Sequence, residues 1–253
     1  MEDASRTSGD VIGQTWQTMK EFKVFVISHL RSANVKQIEA FLGITPVWVV
    51  GKGEQSVYTA QGASETVEGG ELVASRNKAL EIAFKEDCVC VQVSDDIKKI
   101  QKIIFPKKTV SPITFQEVLD IFRKEIRHSP FYLYGVPPTA NAFYVHKSRS
   151  LNNFIIGDFM VIKPNPLRFD PEFLLKEDYD YNAQHIKKYG GILRFNDILF
   201  TFKHYSNKGG VVSYRNEELE AEMAQNLLKK HPQLFRLNKR RKNEVLLKSP
   251  RSK

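Results

Sequence analysis

Apolar and polar positions alternate along the chain in short β-like runs and longer stretches of helical spacing. Residues 23–28 (KVFVIS) form a β-branched and aromatic run that predicts the first strand. Val35, Ile38, Phe41 and Leu42 then recur at helical spacing over residues 33–42, and Gly43 stops that helix. Residues 46–50 read as a second strand, so strand, helix and strand predict a parallel, right-handed unit. Residues 58–67 read as extended. Gly69 and Gly70 precede a helix over 72–84, and the apolar strand 89–93 follows at once.

Beyond that strand, residues 97–104 are an apolar run studded with Lys98, Lys99 and Lys102, followed by Pro106, Lys107 and Lys108. Phe115, Val118, Leu119 and Phe122 mark an amphipathic helix over 114–126. Residues 131–136, 142–146 and 154–162 read as strands divided by turns rich in Pro, Gly, Ser and Asn. A helix over 179–189 closes at Gly190 and Gly191. A β run covers 192–202, and a last helix over 217–230 ends at Pro232. This order predicts a single α/β domain over residues 21–235, a mixed, mostly parallel, twisted sheet flanked by helices. A polar segment, 1–20, precedes it and a basic segment, 236–253, follows.

At 253 residues, with 42% hydrophobic content, 17 Phe and 9 Tyr, the chain can bury a sizeable core. Cys88 and Cys90 fall on one face of one predicted strand and read as buried free thiols, which suits a reducing compartment. The opening MEDASRTSGD has no apolar signal region, and no window approaches the roughly 18 apolar residues of a membrane span. The expectation is an intracellular protein, cytoplasmic or nuclear, with no membrane partner. The net charge of +9 is local. Residues 227–253 hold six Lys, four Arg and one Glu, so the preceding 226 sum to zero. Such a basic end reads as a polyanion-binding segment, a nuclear address in Lys239, Arg240, Arg241 and Lys242, or a solvated terminus.

Three groups of residues could carry chemistry. The strand 89–93 runs into Ser94, Asp95 and Asp96, which places two carboxylates at the carboxyl edge of the predicted sheet, where open α/β folds bind ligands. Those are hard oxygen donors suited to Mg²⁺ or Mn²⁺ and the phosphates they carry. Glu177 and Asp178 begin a helix; acids there compensate the helix dipole, and one could equally serve as a general base. His204 is followed by Asn207, Lys208, Gly209 and Gly210, a loop that could approach phosphate.

Taken together, GGELVASRNKALEIAF, CVQVSDDIKKIQ, FIIGDFMVIKPNPLRFD, LKEDYDYNAQHIKKYGG and HYSNKGG resemble the glycosyltransferase family associated with TET/JBP dioxygenases. That family includes relatives of the base J glucosyltransferase and the C-terminal domains of GREB-type proteins. The resemblance spans roughly residues 23–245 and implies a GT-A-like fold with a UDP-sugar donor and a Mn²⁺ or Mg²⁺ cofactor. It implies Asp96 on the metal, Asp95 on the ribose or the metal, and His204 as a further ligand. It also implies donor contacts from Ser28, Arg31, Arg76, Asn77 and Lys208. Asp178 is expected as the base of an inverting transfer, with Glu177 beside it, and Thr139, Ala140 and Asn141 as lining of the acceptor or sugar pocket. The Ser-Asp-Asp sequence departs from a strict Asp-x-Asp motif, which leaves the division of roles between the two aspartates open. The implied acceptor is a hydroxymethylated pyrimidine in DNA, such as hydroxymethyluracil, reached through the basic segment. The alternatives are a protein Ser or Thr hydroxyl, or a non-catalytic module that only binds nucleotide sugar or nucleic acid.

Overall fold

The computed structural model describes residues 21–203, 210 and 214–248. The polar segment 1–20, His204, Lys208 and residues 249–253 lie outside the described residues.

Four strands laid side by side by β-branched and aromatic runs form the centre: β1 (Phe22–Ile27), β2 (Val47–Val50), β3 (Glu65–Glu68) and β4 (Val89–Ser94). They are parallel, in the order β3-β2-β1-β4. The large sheet continues through β9 (Phe159–Ile162), β7 (Leu133–Gly135), β10 (Leu193–Phe195) and β8 (Arg149–Leu151). Within it β9 and β8 run against the rest. The fold is thus α/β, with a large, mostly parallel mixed sheet flanked by helices.

Period-two alternation sends neighbouring side chains of each strand to opposite faces. Val24, Val26, Val89, Val91, Val93, Phe159 and Val161 bury against α1 (Val35–Leu42) and α4 (Phe115–Ile126). Phe25, Cys90, Met160 and Ile162 bury against α3 (Leu72–Lys85) and α5 (Glu177–Tyr189). α4 begins with a full capping box: Thr114 Oγ1 accepts from the Glu117 amide, and the Glu117 carboxylate accepts from that of Thr114. A small sheet of β11 (Ile198–Phe202), β5 (Ile97–Ile104) and β6 (Thr109–Pro112) packs on the first of these cores through Ile97, Ile100, Ile198 and Phe200. Among the described residues no helix is long and apolar enough to cross a membrane.

The structure corrects five local expectations. Residues 58–67 are not one extended run: α2 (Gln55–Ala60) precedes β3, because Tyr58 turns inward against Trp48 and Ser28. Residues 142–146 hold a 3₁₀ turn, Ala142–Tyr144, whose first turn is capped by Asn141 Oδ1 on the Phe143 amide at 2.9 Å. Of residues 154–162 the strand takes only the last four, since side chains of Asn182 and Asp178 bind the amides of Ile155 and Gly157. The run 192–202 breaks at Asn196 and Asp197 into β10 and β11, which belong to different sheets.

The fifth correction concerns the basic end. α6 (Glu217–Lys230) leads into a hairpin of β12 (Phe235–Leu237) and β13 (Val245–Leu247). Phe235 and Val245 share a core with Phe173, Leu175, Met223 and Leu227. As far as Lys248 this segment is a folded part of the domain, not an appended tail. Lys239, Arg240, Arg241 and Lys242 fall in the turn that joins β12 to β13.

Phe122 is fully buried, stacked on Phe195 at 4.0 Å and edge-on to Phe159 at 5.5 Å. Phe122→Ala should cost about 3–5 kcal/mol in urea denaturation, whereas Phe143→Ala, at a position 73% exposed, should change stability by less than about 0.5 kcal/mol.

Candidate functional site

The chain leaves β1 towards β2 and β3, then returns through α3 to β4 on the other side of β1. The carboxyl ends of β1 and β4 are therefore adjacent across a change of direction, with Ile27 opposite Ser94. Ligands of open α/β sheets bind at such a switch point. Here a cleft of about 990 Å³ opens over it, lined by the ends of β1 and β4, the start of α3, Gly157 and Asp158, the start of α5, and the β12–β13 hairpin.

Seven of the sequence-predicted residues line this one cleft: Ser28, Arg31, Arg76, Asp95, Asp96, Glu177 and Asp178. They come from positions as far apart as 28 and 178, so their convergence is a product of the fold. Asp95 is buried, with one oxygen on Arg31 Nη1 at 2.8 Å, the other accepting from Ser28 Oγ, and its carbonyl held by Asn34 Nδ2 at 3.0 Å. Burial pushes its carboxyl up, and the Arg31 cation offsets part of that rise. Ser28 is itself held by the Tyr58 hydroxyl at 2.6 Å. Asp96 is less committed. One oxygen accepts from Ser94 Oγ at 2.8 Å and the other stands 4.0 Å from Arg31 Nη1.

Arg76 ties the far wall together. Its Nε donates to Glu177 at 3.1 Å, and its Nη1 donates to Gln92 at 3.2 Å and to the Gly157 carbonyl at 2.9 Å. Gln92, fully buried in β4, returns a bond from Nε2 to the Arg76 carbonyl at 2.9 Å. A buried guanidinium needs this many acceptors, because each missing one leaves a desolvated donor. A Cβ at position 157 would lie 2.7 Å from Arg76 Nη2 and 3.1 Å from Asp178 Oδ2, so a side chain there would have to displace the Arg76 guanidinium from its acceptors.

Asp178 follows from that frame. Glu177 is fixed by Arg76, and Asp178 Oδ2 accepts from the Gly157 amide at 3.0 Å. Burial, with the neighbouring Glu177 and Asp158 carboxylates, pushes Asp178 up to about 7 against the pull of Arg76 and the amide. Lys176, just before it, adopts a left-handed backbone (φ 64°) and is held by Glu220 of α6.

Not all expected residues join the cleft. Asn77 spends its amide on the Phe169 backbone, bonding both carbonyl and amide at 2.8 Å. Of the 137–141 loop, Pro138 reaches the cleft lining, and Thr139, Ala140 and Asn141 are not among the lining residues. His204 and Lys208 lie outside the described residues, though their flanks are anchored at the cleft. The Lys203 amide binds the Asp96 carbonyl at 2.9 Å, and that of Gly210 binds the His29 carbonyl at 3.1 Å.

Sequence reasoning missed Asp158 and Arg215 in the cleft lining, and Gln92 and Asn34, which hold Arg76 and the Asp95 backbone. A lone Gln inside the apolar run 89–93 was the available signal for Gln92, and nothing local marks the other three. Arg241 and Lys242, read in the sequence as part of a basic segment, stand on the rim of the cleft.

Among the described residues no three His, Cys, Asp or Glu side chains are arranged to hold a metal ion. The donor set suits a cation that takes one protein carboxylate and completes its shell with phosphate oxygens and water, the habit of Mg²⁺. Asp96 is the group free enough for that role, since both Asp95 oxygens are occupied. No family model matches the chain, and no curated protein matches it in sequence.

Two outcomes test this frame. Arg76→Ala strands the Glu177 carboxylate and should cost about 3–5 kcal/mol in urea denaturation, and Glu177→Gln in the same chain should recover part of it. Asp178 has its folded value raised from 3.8 to about 7, so the folded chain keeps a proton that the unfolded chain releases. Its contribution is full below about pH 4 and is lost as pH rises through about 7. Asp178→Asn should flatten that fall in the urea midpoint between about pH 4 and 7.

Proposed function

We propose that the protein is a metal-dependent glycosyltransferase of the GT-A type, moving a sugar from a UDP-sugar to an acceptor hydroxyl with inversion. The observation that supports it most is one cleft at the switch point that joins Asp96 and Arg31 with a carboxylate, Asp178, raised to about 7. A general base works best with a pKa near the operating pH. The mostly parallel sheet with paired aspartates at the end of β4 agrees with the proposed fold.

On this reading Asp96 would hold a Mn²⁺ or Mg²⁺ ion, which would supply positive charge to the diphosphate leaving group, and Arg31, oriented by Asp95, adds a fixed positive charge of its own. Ser28 acts through Asp95, since its hydroxyl is spent on Asp95 and Tyr58. Asp178 accepts the proton of the acceptor hydroxyl as its oxygen bonds to the anomeric carbon. The bond from that carbon to the diphosphate oxygen breaks, and its electron pair leaves with UDP. Arg76 and Glu177 act as positioning residues that set the start of α5. Arg241 and Lys242 on the rim form exposed pairs with Glu244 and Glu217, and exchange of those weak surface pairs for phosphate favours an acceptor such as a hydroxymethylated pyrimidine in DNA over a protein hydroxyl.

UDP release from a panel of UDP-sugars, supplied with Mn²⁺ and hydroxymethyluracil-containing DNA, tests the reading. Activity should require the metal, vanish in Asp96→Ala, and fall by about 10²–10⁴-fold in Asp178→Asn with UDP binding retained. In wild type, kcat/KM should rise with pH through an apparent pKa near 7 and level above it, because the base must be ionised. Full activity in Asp96→Ala, or a pH-independent rate between 5 and 9, rejects the assignment.

A further inference from the structure

The lysines of the β5–β6 hairpin take no part in the cleft, yet they meet a second unusual feature. Two stretches without a single Asp or Glu, residues 97–116 and 126–157, are brought together by the fold. Ile103, Val145 and Leu199 bury in a small cluster with Phe105 and Ala142 against them. That contact seats the 3₁₀ turn Ala142–Tyr144 beside the hairpin tip. Lys108 Nζ donates to the Phe143 carbonyl at 3.2 Å and lies 3.5 Å from His146 Nδ1.

The turn presents two aromatic rings to solvent. Phe143 is 73% and Tyr144 67% exposed, with centroids 5.4 Å apart and planes 86° apart. Ile104 and Val110 on the hairpin are exposed as well. Lys107, His146 and Lys147 stand exposed around them. Two acidic groups of the adjoining elements are already committed: Asp197 pairs with Arg149 and lies 3.9 Å from Lys102, and Glu125 pairs with Arg149. Lys107 and Lys147 have no acidic partner among the described residues. Aromatic rings cost free energy when left in water, and two side by side amid cations form a surface whose chemistry matches stacked bases on a phosphate chain.

We propose that this surface, Phe143 and Tyr144 with Lys107, Lys108 and Lys147, binds single-stranded nucleic acid. Unpaired bases stack on the two rings, which a duplex with its bases inside cannot do, and the lysines contact the backbone. Five residues before Phe143, Pro138 lines the cleft, so the same loop joins the platform to the rim. The inference needs no glycosyl transfer, and it is read by binding alone.

Fluorescence anisotropy of a short fluorescein-labelled oligothymidine, with the full chain at several salt concentrations, tests it. Wild type should bind, with affinity falling as salt rises. Phe143→Ala with Tyr144→Ala should weaken binding about tenfold at unchanged salt slope. Lys107→Ala with Lys108→Ala should lower the log–log slope by about 1.4. Both pairs lie on the surface, and an unchanged urea midpoint checks that each variant is folded. The proposal is overturned if oligothymidine does not bind, or if the aromatic variant binds like wild type. It is also overturned if a duplex of equal length or polyglutamate binds as tightly, or if binding is lost instead in Arg240→Ala with Arg241→Ala.

Discussion

The buried guanidinium of Arg76 is the constraint on which the rest of the site depends. It stands on α3 and reaches the side chain of β4, the backbone before β9 and the first residue of α5. A cation removed from water must have each donor met, and here the acceptors are supplied by separate parts of the chain. Gln92 interrupts an apolar strand for this reason, and Gly157 lacks a side chain because Arg76 and Asp178 fill that space. The Phe169 ring, 5.4 Å from the guanidinium carbon, completes the enclosure. With these contacts made, the start of α5 has one position, and Asp178 takes its place from that.

The electrostatics of the cleft follow from the same crowding. Asp95, Asp96, Asp158, Glu177 and Asp178 line one space with Arg31 and Arg76. Carboxylates that share a partly desolvated site cannot all hold their charge at ordinary values. Burial raises both Asp95 and Asp178; Arg31 and Ser28 pull Asp95 back down, while Glu177 and Asp158 push Asp178 further up against Arg76 and the Gly157 amide. On the proposed reading, this negative lining repels a diphosphate unless a divalent cation enters with it. Metal and donor are then expected to bind together.

Much of the framework is legible in the sequence, because period-two and helical spacing report directly on burial. The parallel order of the first strands, the helix at 217–230 and the carboxylate pair at the end of β4 are read from residues close together. What the sequence conceals depends on distant partners. Gln55–Ala60 turns helical because Tyr58 packs on Trp48 and bonds Ser28, contacts that lie 10 and 30 residues away. The run 192–202 looks uniform, and only its partners in two sheets divide it. The basic end reads as a tail because charge dominates its composition, while Phe235 and Val245, two apolar residues ten apart, fold it onto α6. Within the site, Asp95 and Asp96 look equivalent in sequence, and their neighbours separate an internal anchor from a freer carboxylate.

The most direct test of the central claim is calorimetric titration of UDP into the protein with and without Mn²⁺. The account predicts mutual dependence: UDP tightens Mn²⁺ binding by the same factor as Mn²⁺ tightens UDP, and Asp96→Ala removes that coupling while the protein stays folded. Equal UDP affinity with and without the metal, or coupling that survives in Asp96→Ala, would contradict it.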